Sequence, residues 1–331
     1  MKLLRLNSIP APLLELEAYQ IGEVLPGPTL IEWGEGELPP IFISVLLHGN
    51  EISGFTILKN LWRKLLTGEL KSQHPLIFFI ANVEAASVGL RHLPSQLDFN
   101  RVWSGGDAPE ALVAQEVLDI SRKRQVGWAI DIHNNTGKNP LYSCINKLEP
   151  EFWDLAHFFA PHIVYFTEPH EVLSMAFSQF CPSVTIEAGT PGQKEMIEIL
   201  TDKLETLLTT GAPALSKLKA RPPVFHTIGR IKVASSAQID FNFNPRPEGD
   251  LSMRSDLVEC NFQQLEPGFV LGYAKKGHLW VEGNFEQDFT NDFLEISSGE
   301  ICVKKSFVPA MFTQNIPIIK SDCMGYVMES I

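Results

Sequence analysis

The sequence is poor in cysteine. Five cysteines occur in 331 residues, an odd number spread from Cys144 to Cys323 without a Cys-x-x-Cys pair. A small secreted domain held by disulfides has an even set of cysteines at regular spacing, so this class of protein is excluded. We therefore expect reduced thiols and a cytoplasmic location.

Long apolar runs and an excess of positive charge are also missing. No run approaches the roughly 18 apolar residues of a membrane span, and the first residues lack the apolar core of a signal peptide. The 27 lysines and arginines are outnumbered by 39 aspartates and glutamates, which gives a net charge of −12. Because nucleic acids and anionic membranes attract basic surfaces, we expect neither of them as a partner.

The remaining composition is that of a globular protein, with 44% hydrophobic residues. At roughly 100–200 residues per domain, the length predicts two domains. In the first two thirds of the chain, short apolar runs alternate with amphipathic helical patterns, which is typical of an α/β sheet with helices on both faces. The predicted strands cover 41–47, 76–81, 128–132, 141–145, 163–166 and 183–186, and the clearest helices cover about 52–65, 111–118 and 193–208.

A change of pattern follows the last of these helices. Residues 209–213 and 220–223 are rich in glycine, proline and threonine, which end helices and form turns. From residue 224 onward the segments are short and β-like, at 227–234, 239–243, 269–273 and 325–328. We therefore predict an α/β domain at 1–215 and a small all-β domain at 223–331.

A histidine and a glutamate follow the first predicted strand. His48 and Glu51 lie three residues apart in a strand-to-helix turn, where both side chains can face one point. Ligands collect at the carboxyl ends of strands in open α/β sheets, and an imidazole nitrogen with a carboxylate suits a divalent cation. The alternative is a turn histidine that caps a helix.

Two further predicted strands end in polar side chains. His133 directly follows the strand at 128–132, and Asp131 lies on the same face because alternate strand residues point the same way. Asp131 is thus suited to orient the imidazole of a metal ligand. Glu187 ends the strand at 183–186 and is a candidate general base. The alternatives are a hydrogen-bonded polar strand end at His133 and a carboxylate at a helix N-terminus at Glu187.

Two arginines lie in an irregular stretch of about 20 residues after the second strand. A loop of this length inside a compact domain is usually functional. Arg91 and Arg101 each carry a planar guanidinium, which suits a substrate carboxylate or the oxyanion formed in acyl transfer. Taken singly, each arginine is more typical of a surface ion pair.

Five short motifs follow one another along the predicted α/β domain. They are His-Gly-Asn-Glu at 48–51, Gly-Leu-Arg at 89–91, Asp-Phe-Asn-Arg at 98–101, Asp-Ile-His-Asn at 131–134 and Ile-Glu-Ala-Gly at 186–189. Together, and in this order, they resemble the motifs of the succinylglutamate desuccinylase/aspartoacylase family, a branch of the zinc carboxypeptidase superfamily. The resemblance implies a mixed, mainly parallel sheet with helices on both faces, followed by the small β domain.

The resemblance also implies one zinc ion per chain and a role for seven residues. The implied activity is hydrolysis of an amide bond next to a free carboxylate, with an N-acyl amino acid as the substrate. The seven residues are the zinc ligands His48, Glu51 and His133, the oxyanion-stabilising Arg91, the carboxylate-binding Asn100 and Arg101, and the catalytic acid/base Glu187.

One feature of the family is missing. Members that take acyl groups with a second carboxylate have an arginine about ten residues before the catalytic glutamate, whereas this chain has no arginine from 125 to 220. The acyl specificity therefore stays open. Two other functions also stay open: a zinc carboxypeptidase acting on short peptides, and a metal- or ligand-binding protein without turnover. The sequence leaves the oligomeric state undetermined, with a homo-oligomer among the options.

Overall fold

The computed structural model describes residues 1–135, 137–211, 222–275, 277–283 and 287–331. They form two compact units, the first comprising Met1–Asn134 and Leu141–Pro222 and the second comprising Asn135–Pro140 and Pro223–Ile331. Residues 135–140 thus belong with the second unit, although they precede strands of the first unit in the chain. The limits predicted from the sequence, a hydrolase domain at 1–215 and a β domain at 223–331, stay predictions.

The first unit contains a mixed sheet. Its strand order is β1-β2-β4-β3-β5-β8-β6-β7. The four central strands, β4, β3, β5 and β8, are parallel, whereas the pair at each side runs in the opposite direction. The strands are β1 (Leu4–Leu6), β2 (Thr29–Trp33), β3 (Ile41–Val45), β4 (Leu76–Ile80), β5 (Trp128–His133), β6 (Tyr142–Ile145), β7 (His162–Tyr165) and β8 (Ser183–Glu187).

Helices cover both faces of this sheet. One face packs against α1 and α6, whose apolar stripes bury residues such as Trp62 and Leu204. The other face joins α3 and α5 in an apolar cluster that includes Phe42, Phe79 and Phe177. The helices are α1 (Ser53–Thr67), α2 (Val83–Ala86), α3 (Pro109–Lys123), α4 (Pro150–Phe159), α5 (Leu173–Phe177) and α6 (Lys194–Thr210).

The second unit is mostly β. One sheet has the order β13-β9-β17-β16 and is antiparallel, and another has the order β10-β11-β12-β15-β14. A separate apolar core, which includes Leu251, Phe293 and Phe312, supports the unit. Its elements are β9 (Val224–Val233), β10 (Ile239–Asp240), β11 (Leu251–Met253), β12 (Val270–Ala274), β13 (Leu279–Gly283), α7 (Thr290–Phe293), β14 (Leu294–Ser297), β15 (Glu300–Val303), β16 (Val308–Ala310), α8 (Ile316–Ser321) and β17 (Gly325–Ser330).

The predicted fold class is confirmed: a mixed, mainly parallel α/β sheet with helices on both faces, and a smaller β unit. The six strands predicted in the first unit correspond to β3 to β8 within one or two residues at each end. The edge strand β1, its neighbour β2 and the helices α2, α4 and α5 were not predicted. Within the described residues, no helix is both long and apolar enough to cross a membrane.

Candidate active site

Three neighbouring parallel strands deliver polar side chains to one edge of the first unit's sheet. At that edge β3 leads into His48, β5 ends at His133 and β8 ends at Glu187. The chain turns sharply after β3 because Leu46 adopts a left-handed conformation with φ of 57°. Such a conformation is uncommon for a branched residue and often accompanies functional sites. This edge, which we call the carboxyl edge, therefore collects the side chains predicted to carry the chemistry.

The side chains of His48, Glu51 and His133 meet there. The Glu51 carboxylate lies between the two imidazoles, with Oε1 at 2.7 Å from His48 Nδ1 and Oε2 at 2.8 Å from His133 Nδ1. All three residues are buried, and one candidate ligand atom from each lies within 4.8 Å of the others. Two imidazole nitrogens and a carboxylate are a donor set that transition metals such as zinc use. We call these three residues the His–Glu–His cluster.

Two further carboxylates contact the imidazole nitrogens that point away from Glu51. Asp131 Oδ2 lies 2.8 Å from His133 Nε2, and Asp98 Oδ1 lies 3.0 Å from His48 Nε2. A carboxylate only accepts, so each Nε2 carries a proton and each Nδ1 faces Glu51. Metal-binding histidines in proteins are typically held by such partners.

The buried charges of this cluster shift one another's pKa values. Burial alone would lower the pKa of His133, but the carboxylates of Asp131 and Glu51 raise it well above its ordinary value. Burial opposes ionisation of Glu51, yet His48 and His133 hold its pKa far below the usual range. Asp98 is likewise held ionised, because His48 and Arg91 outweigh the effect of burial on its pKa. In the protein without metal, a proton on the His133 imidazole thus offsets part of the negative charge of the carboxylates.

Glu187 stands beside the cluster with one oxygen unpaired. It is the register partner of His133 in the pairing of β5 with β8, so the two side chains lie on the same face of the sheet. Only 9% of Glu187 is exposed, and its Oε2 has no hydrogen-bond partner among the described residues. Burial, with the charges of Glu51 and Asp131, raises the pKa of Glu187 to about 7, against the opposing charges of His133 and Arg91. This carboxyl group is therefore poised to exchange a proton near neutral pH.

Gly49 brings the loop of the cluster against the loop that carries Arg91. The Gly49 N–H donates to the Arg91 carbonyl at 3.1 Å. A Cβ at position 49 would lie 2.2 Å from the backbone nitrogen of Ala86 and 2.7 Å from the carbonyl oxygen of Leu90. No side chain fits between two backbones this close, so glycine is required at this position.

Arg91 reaches from this second loop toward the cluster. Its Nε and Nη2 both lie 2.9 Å from Asp98 Oδ2, and its Nη1 lies 3.9 Å from Glu51 Oε1. Asp98 therefore fixes the guanidinium beside the candidate metal site, where it could stabilise a negative charge that forms on a bound molecule.

Asn100 and Arg101 follow Asp98 in the 3-10 helix Phe99–Arg101. The Asn100 Oδ1 accepts from the Leu173 N–H at 3.0 Å, which fixes its side chain at the start of α5. Arg101 Nη1 donates to the carbonyl of Asn100 at 2.8 Å. Among the described residues no carboxylate lies within 4.0 Å of the Arg101 guanidinium, so this group is available to an anion.

Three polar residues that support the site had no role in the sequence prediction. Asp98 links His48 to Arg91, Ser44 Oγ donates to Asp131 at 2.6 Å, and the Asn134 N–H donates to Glu51 at 3.0 Å. Asp98 was visible in the Asp-Phe-Asn-Arg motif, but its contact with a histidine 50 residues earlier depends on the fold. Asn134 was likewise visible as the last residue of the Asp-Ile-His-Asn motif, whereas Ser44 lies inside β3 and carries no comparable signal.

The segment where an arginine is missing lies in and after α5. Ser174 and Phe177 are buried, and the Phe177 ring packs 4.5 Å from that of Phe42 beneath the sheet. The Ser174 carbonyl accepts from Ser183 Oγ at 2.7 Å. This segment therefore contributes packing and backbone contacts, and it contains no arginine.

Together, the sheet and the His–Glu–His cluster define a mixed α/β protein with a candidate metal centre at the carboxyl edge of its parallel strands. Residues 37–207, more than half of the chain, match the succinylglutamate desuccinylase/aspartoacylase catalytic domain. A succinylglutamate desuccinylase from Pseudomonas paraeruginosa is 36% identical over 266 residues, covering 73% of this chain and 76% of the relative. The chain belongs to the succinylglutamate desuccinylase/aspartoacylase family, as predicted, and is an enzyme of the hydrolase class.

Solved structures show the same fold. A succinylglutamate desuccinylase/aspartoacylase from Rhodobacter sphaeroides aligns with a TM-score of 0.63 at 14% identity, covering 91% of this chain and 88% of that chain. Murine aminoacylase 3 aligns with a TM-score of 0.56 at 13% identity, covering 90% of this chain and 97% of that chain. At these identities the likeness establishes the fold alone.

Proposed function

We propose that this protein is a zinc-dependent hydrolase that removes the acyl group from an N-acyl amino acid. The substrate class follows from the family and from the names of its relatives, which include a succinylglutamate desuccinylase. The observation that carries the proposal is the His–Glu–His cluster with its two outer carboxylates and the unpaired oxygen of Glu187 beside it.

The donor set of the cluster fits zinc. His48 and His133 turn their Nδ1 atoms toward Glu51, and their Nε2 atoms are engaged by Asp98 and Asp131. Three protein ligands leave a coordination position for water or substrate, as in catalytic zinc sites. When bound at such a site, zinc lowers the pKa of water toward about 7 and polarises a carbonyl oxygen.

Glu187 supplies the proton transfer. Its free Oε2 accepts the proton of the attacking water and then delivers it to the nitrogen of the leaving amine. Both steps need a carboxyl group that exchanges protons near neutral pH, and burial brings the pKa of Glu187 to about 7 in the metal-free chain. General acid–base catalysis of this kind contributes about 10²–10⁴-fold to a rate.

Arg91 stabilises the negative charge that forms on the carbonyl oxygen during attack. Asp98 accepts from the Nε and Nη2 of Arg91, which leaves Nη1 directed toward the cluster. Because Asp98 also binds His48, one carboxylate positions both a metal ligand and the oxyanion donor. Such donors act most strongly when they are held in place before the reaction.

Arg101 and Asn100 bind the free carboxylate of the amino acid. The planar guanidinium of Arg101 can present two parallel N–H groups to the carboxylate, and Asn100 Nδ2 can add a third donor. The bond from Asn100 to Leu173 holds that side chain in place before substrate arrives. Fixing the carboxylate at one point sets the distance at which the scissile amide meets the cluster.

The experiment that tests the proposal is a substrate panel with metal analysis on the same sample. The panel contains N-acetyl, N-succinyl and longer N-acyl amino acids beside di- and tripeptides, and amine release is measured. We expect about one zinc per chain, loss of activity after chelation, and recovery on adding zinc back. Full activity in thoroughly metal-free protein would overturn the zinc dependence.

The same panel separates the deacylase from a carboxypeptidase. Both activities would use the same residues, so they differ only in what the substrate carries on the acyl side. We expect N-acyl amino acids to be hydrolysed with higher kcat/KM than peptides ending in the same residue. Preference for peptides would assign the second activity, and no turnover of any member by the zinc-loaded protein would assign a binding function.

A further inference from the structure

Asn134 joins two segments of the first unit through its side chain. The residue directly follows His133 at the end of β5, and only 4% of it is exposed. Its Oδ1 accepts from the Ser53 N–H at 3.1 Å, and its Nδ2 donates to the Gly189 carbonyl at 2.9 Å, with the Ala188 carbonyl at 3.4 Å. One amide group therefore connects the first residue of α1 with the turn that follows β8.

Both connected segments carry residues of the candidate active site. Ser53 lies two residues after the candidate metal ligand Glu51, and Gly189 lies two residues after Glu187. The backbone N–H of Asn134 also donates to Glu51 Oε2 at 3.0 Å. Asn134 thus lies between the loop that carries Glu51 and the turn that directly follows Glu187.

The bond to Oδ1 supplies a helix cap that α1 lacks in its own sequence. The first N–H groups of a helix have no partner within the helix, and a side-chain oxygen at the N-cap position usually accepts from one of them. Ile52 occupies that position in α1 and has no such oxygen. Asn134, 81 residues after Ser53 in the chain, provides the acceptor instead. This cap fixes where α1 begins relative to β5.

Two other bonds hold the same turn. The Gly192 N–H donates to Ser53 Oγ at 3.0 Å, and the Ala188 N–H donates to the His133 carbonyl at 2.9 Å. Both bonds use groups that a substitution at position 134 leaves in place. The contribution of the Asn134 side chain can therefore be tested separately from them.

The two side-chain bonds of Asn134 require an amide. Asparagine carries an acceptor and a donor on the same carbon, and here each of them faces a group of the opposite kind. Aspartate has the same shape but only accepts, so it keeps the cap of Ser53 and loses the donor to the Gly189 carbonyl. Leucine has a similar size and neither group. The pair of substitutions therefore separates the loss of the donor from the charge that aspartate adds.

We propose that Asn134 is a positioning residue that fixes Glu187 relative to the His–Glu–His cluster through its bonds to Ser53 and Gly189. The inference rests on the proposed hydrolysis, in which Glu187 has to meet both the attacking water and the leaving nitrogen. A displacement of about 1 Å can lower a rate by about 100-fold, so the distance that Asn134 sets has a direct effect on the rate.

The kinetic test compares Asn134→Asp and Asn134→Leu with the unaltered enzyme on one N-acyl amino acid. We expect kcat to fall by roughly 10- to 100-fold in both variants while KM changes by less than about threefold, because the proposed carboxylate contacts of Arg101 and Asn100 remain. The zinc content should stay that of the unaltered enzyme, because the three candidate ligands and the backbone bond to Glu51 also remain. Asn7→Asp, which adds the same charge at an exposed asparagine, should change neither kcat nor KM.

The two variants have to agree. A fall of kcat in only one of them would attribute the effect to the added charge or to the lost helix cap, and would overturn the proposal. Unchanged kcat in both folded variants would overturn it as well. A residue with only a structural role would lower the melting temperature without separating kcat from KM in this way.

A second measurement needs neither metal nor substrate. Hydrogen exchange of the backbone amides is followed by NMR in the metal-free protein. We expect the Ala188 and Gly192 amides to exchange at least about tenfold faster in both variants, and the Ser53 amide to do so only in Asn134→Leu, which removes its acceptor. Unchanged exchange of the turn in both variants would refute the role of Asn134.

The exchange measurement also separates this inference from the proposed function. If the unaltered enzyme hydrolyses no N-acyl amino acid, the proposed function fails, whereas the exchange rates still decide whether Asn134 holds the turn after Glu187. Thermal unfolding checks that each variant folds. If Asn134→Leu fails to fold, the kcat and the exchange rates of Asn134→Asp decide.

Discussion

Replacing Arg101 by lysine tests the proposed carboxylate site most sharply. Lysine keeps the positive charge but cannot present two parallel donors from one planar group. A hydrogen bond to a charged group contributes about 1.5–3 kcal/mol, and each 1.36 kcal/mol corresponds to a tenfold change in rate. Loss of one of two such bonds therefore lowers kcat/KM for carboxylate-bearing substrates by roughly 10- to 150-fold.

The structure indicates that this decrease in kcat/KM would come from the contact with the substrate carboxylate alone. Arg101 has no carboxylate partner within 4.0 Å among the described residues, so its replacement breaks no ion pair of the folded protein. The assay compares an N-acyl amino acid with the analogue whose carboxylate is a carboxamide, using steady-state kinetics. The carboxamide should react slowly with the unaltered enzyme and almost equally slowly with the variant.

Arg124→Lys is the matched control. Arg124 pairs with Glu32 on the surface, with 3.1 Å between Nε and Oε1. This variant should retain the kcat/KM of the unaltered enzyme on both compounds. If Arg101→Lys lowered kcat/KM equally for the carboxylate and the carboxamide, Arg101 would act on the fold or on another part of the substrate, and the reasoning would fail.

Three further predictions concern the metal, the proton and the acyl group. His133→Ala should lower both the zinc content, measured by metal analysis, and the hydrolase activity. The control His170→Ala, which replaces an exposed histidine, should change neither. Full zinc occupancy in His133→Ala would remove that residue from the site. Glu187→Gln should keep the metal and the melting temperature but lower kcat by roughly 10²–10⁴-fold. Glu195→Gln, which replaces an exposed glutamate, is its control and should leave kcat unchanged. Near-native turnover of Glu187→Gln would assign the base to another residue. N-acetyl and apolar N-acyl amino acids should react at least as well as N-succinyl ones, because the segment around Phe177 offers no arginine; a large preference for succinyl would show that another cation binds the second carboxylate.

The sequence was sufficient to bring together the His–Glu–His cluster and Glu187 because their positions follow from one rule. His133 and Glu187 end buried parallel strands, and His48 and Glu51 lie in the loop after a third strand, and the carboxyl ends of such strands meet at one edge. The apolar runs and the polar residues after them indicated these residues as candidates, and the resemblance of the ordered motifs to the family implied that they form one site. The roles of these residues stay predictions, although the geometry brings the side chains together.

Other features depend on three-dimensional contacts that the sequence does not display. Strand β1, at the edge of the sheet, and its neighbour β2 are only three and five residues long, which leaves little apolar periodicity in the sequence. Helix α4 begins at Pro150 and has a wide apolar face, interrupted only by Glu151, Asp154 and His157, and it was missed although its buried residues recur at helical spacing. The contact of Asp98 with His48 joins residues 50 positions apart and exists only once the sheet has formed.

The close approach at Gly49 has a consequence for how this enzyme can vary. The loop with His48 and Glu51 and the segment from Ala85 to Arg91 touch backbone to backbone, so they move as one piece. A longer or shorter segment between Ala85 and Asp98 would shift the candidate metal site as well as the arginine. Attempts to change specificity by exchanging loops therefore have to transplant both segments together, or leave both untouched.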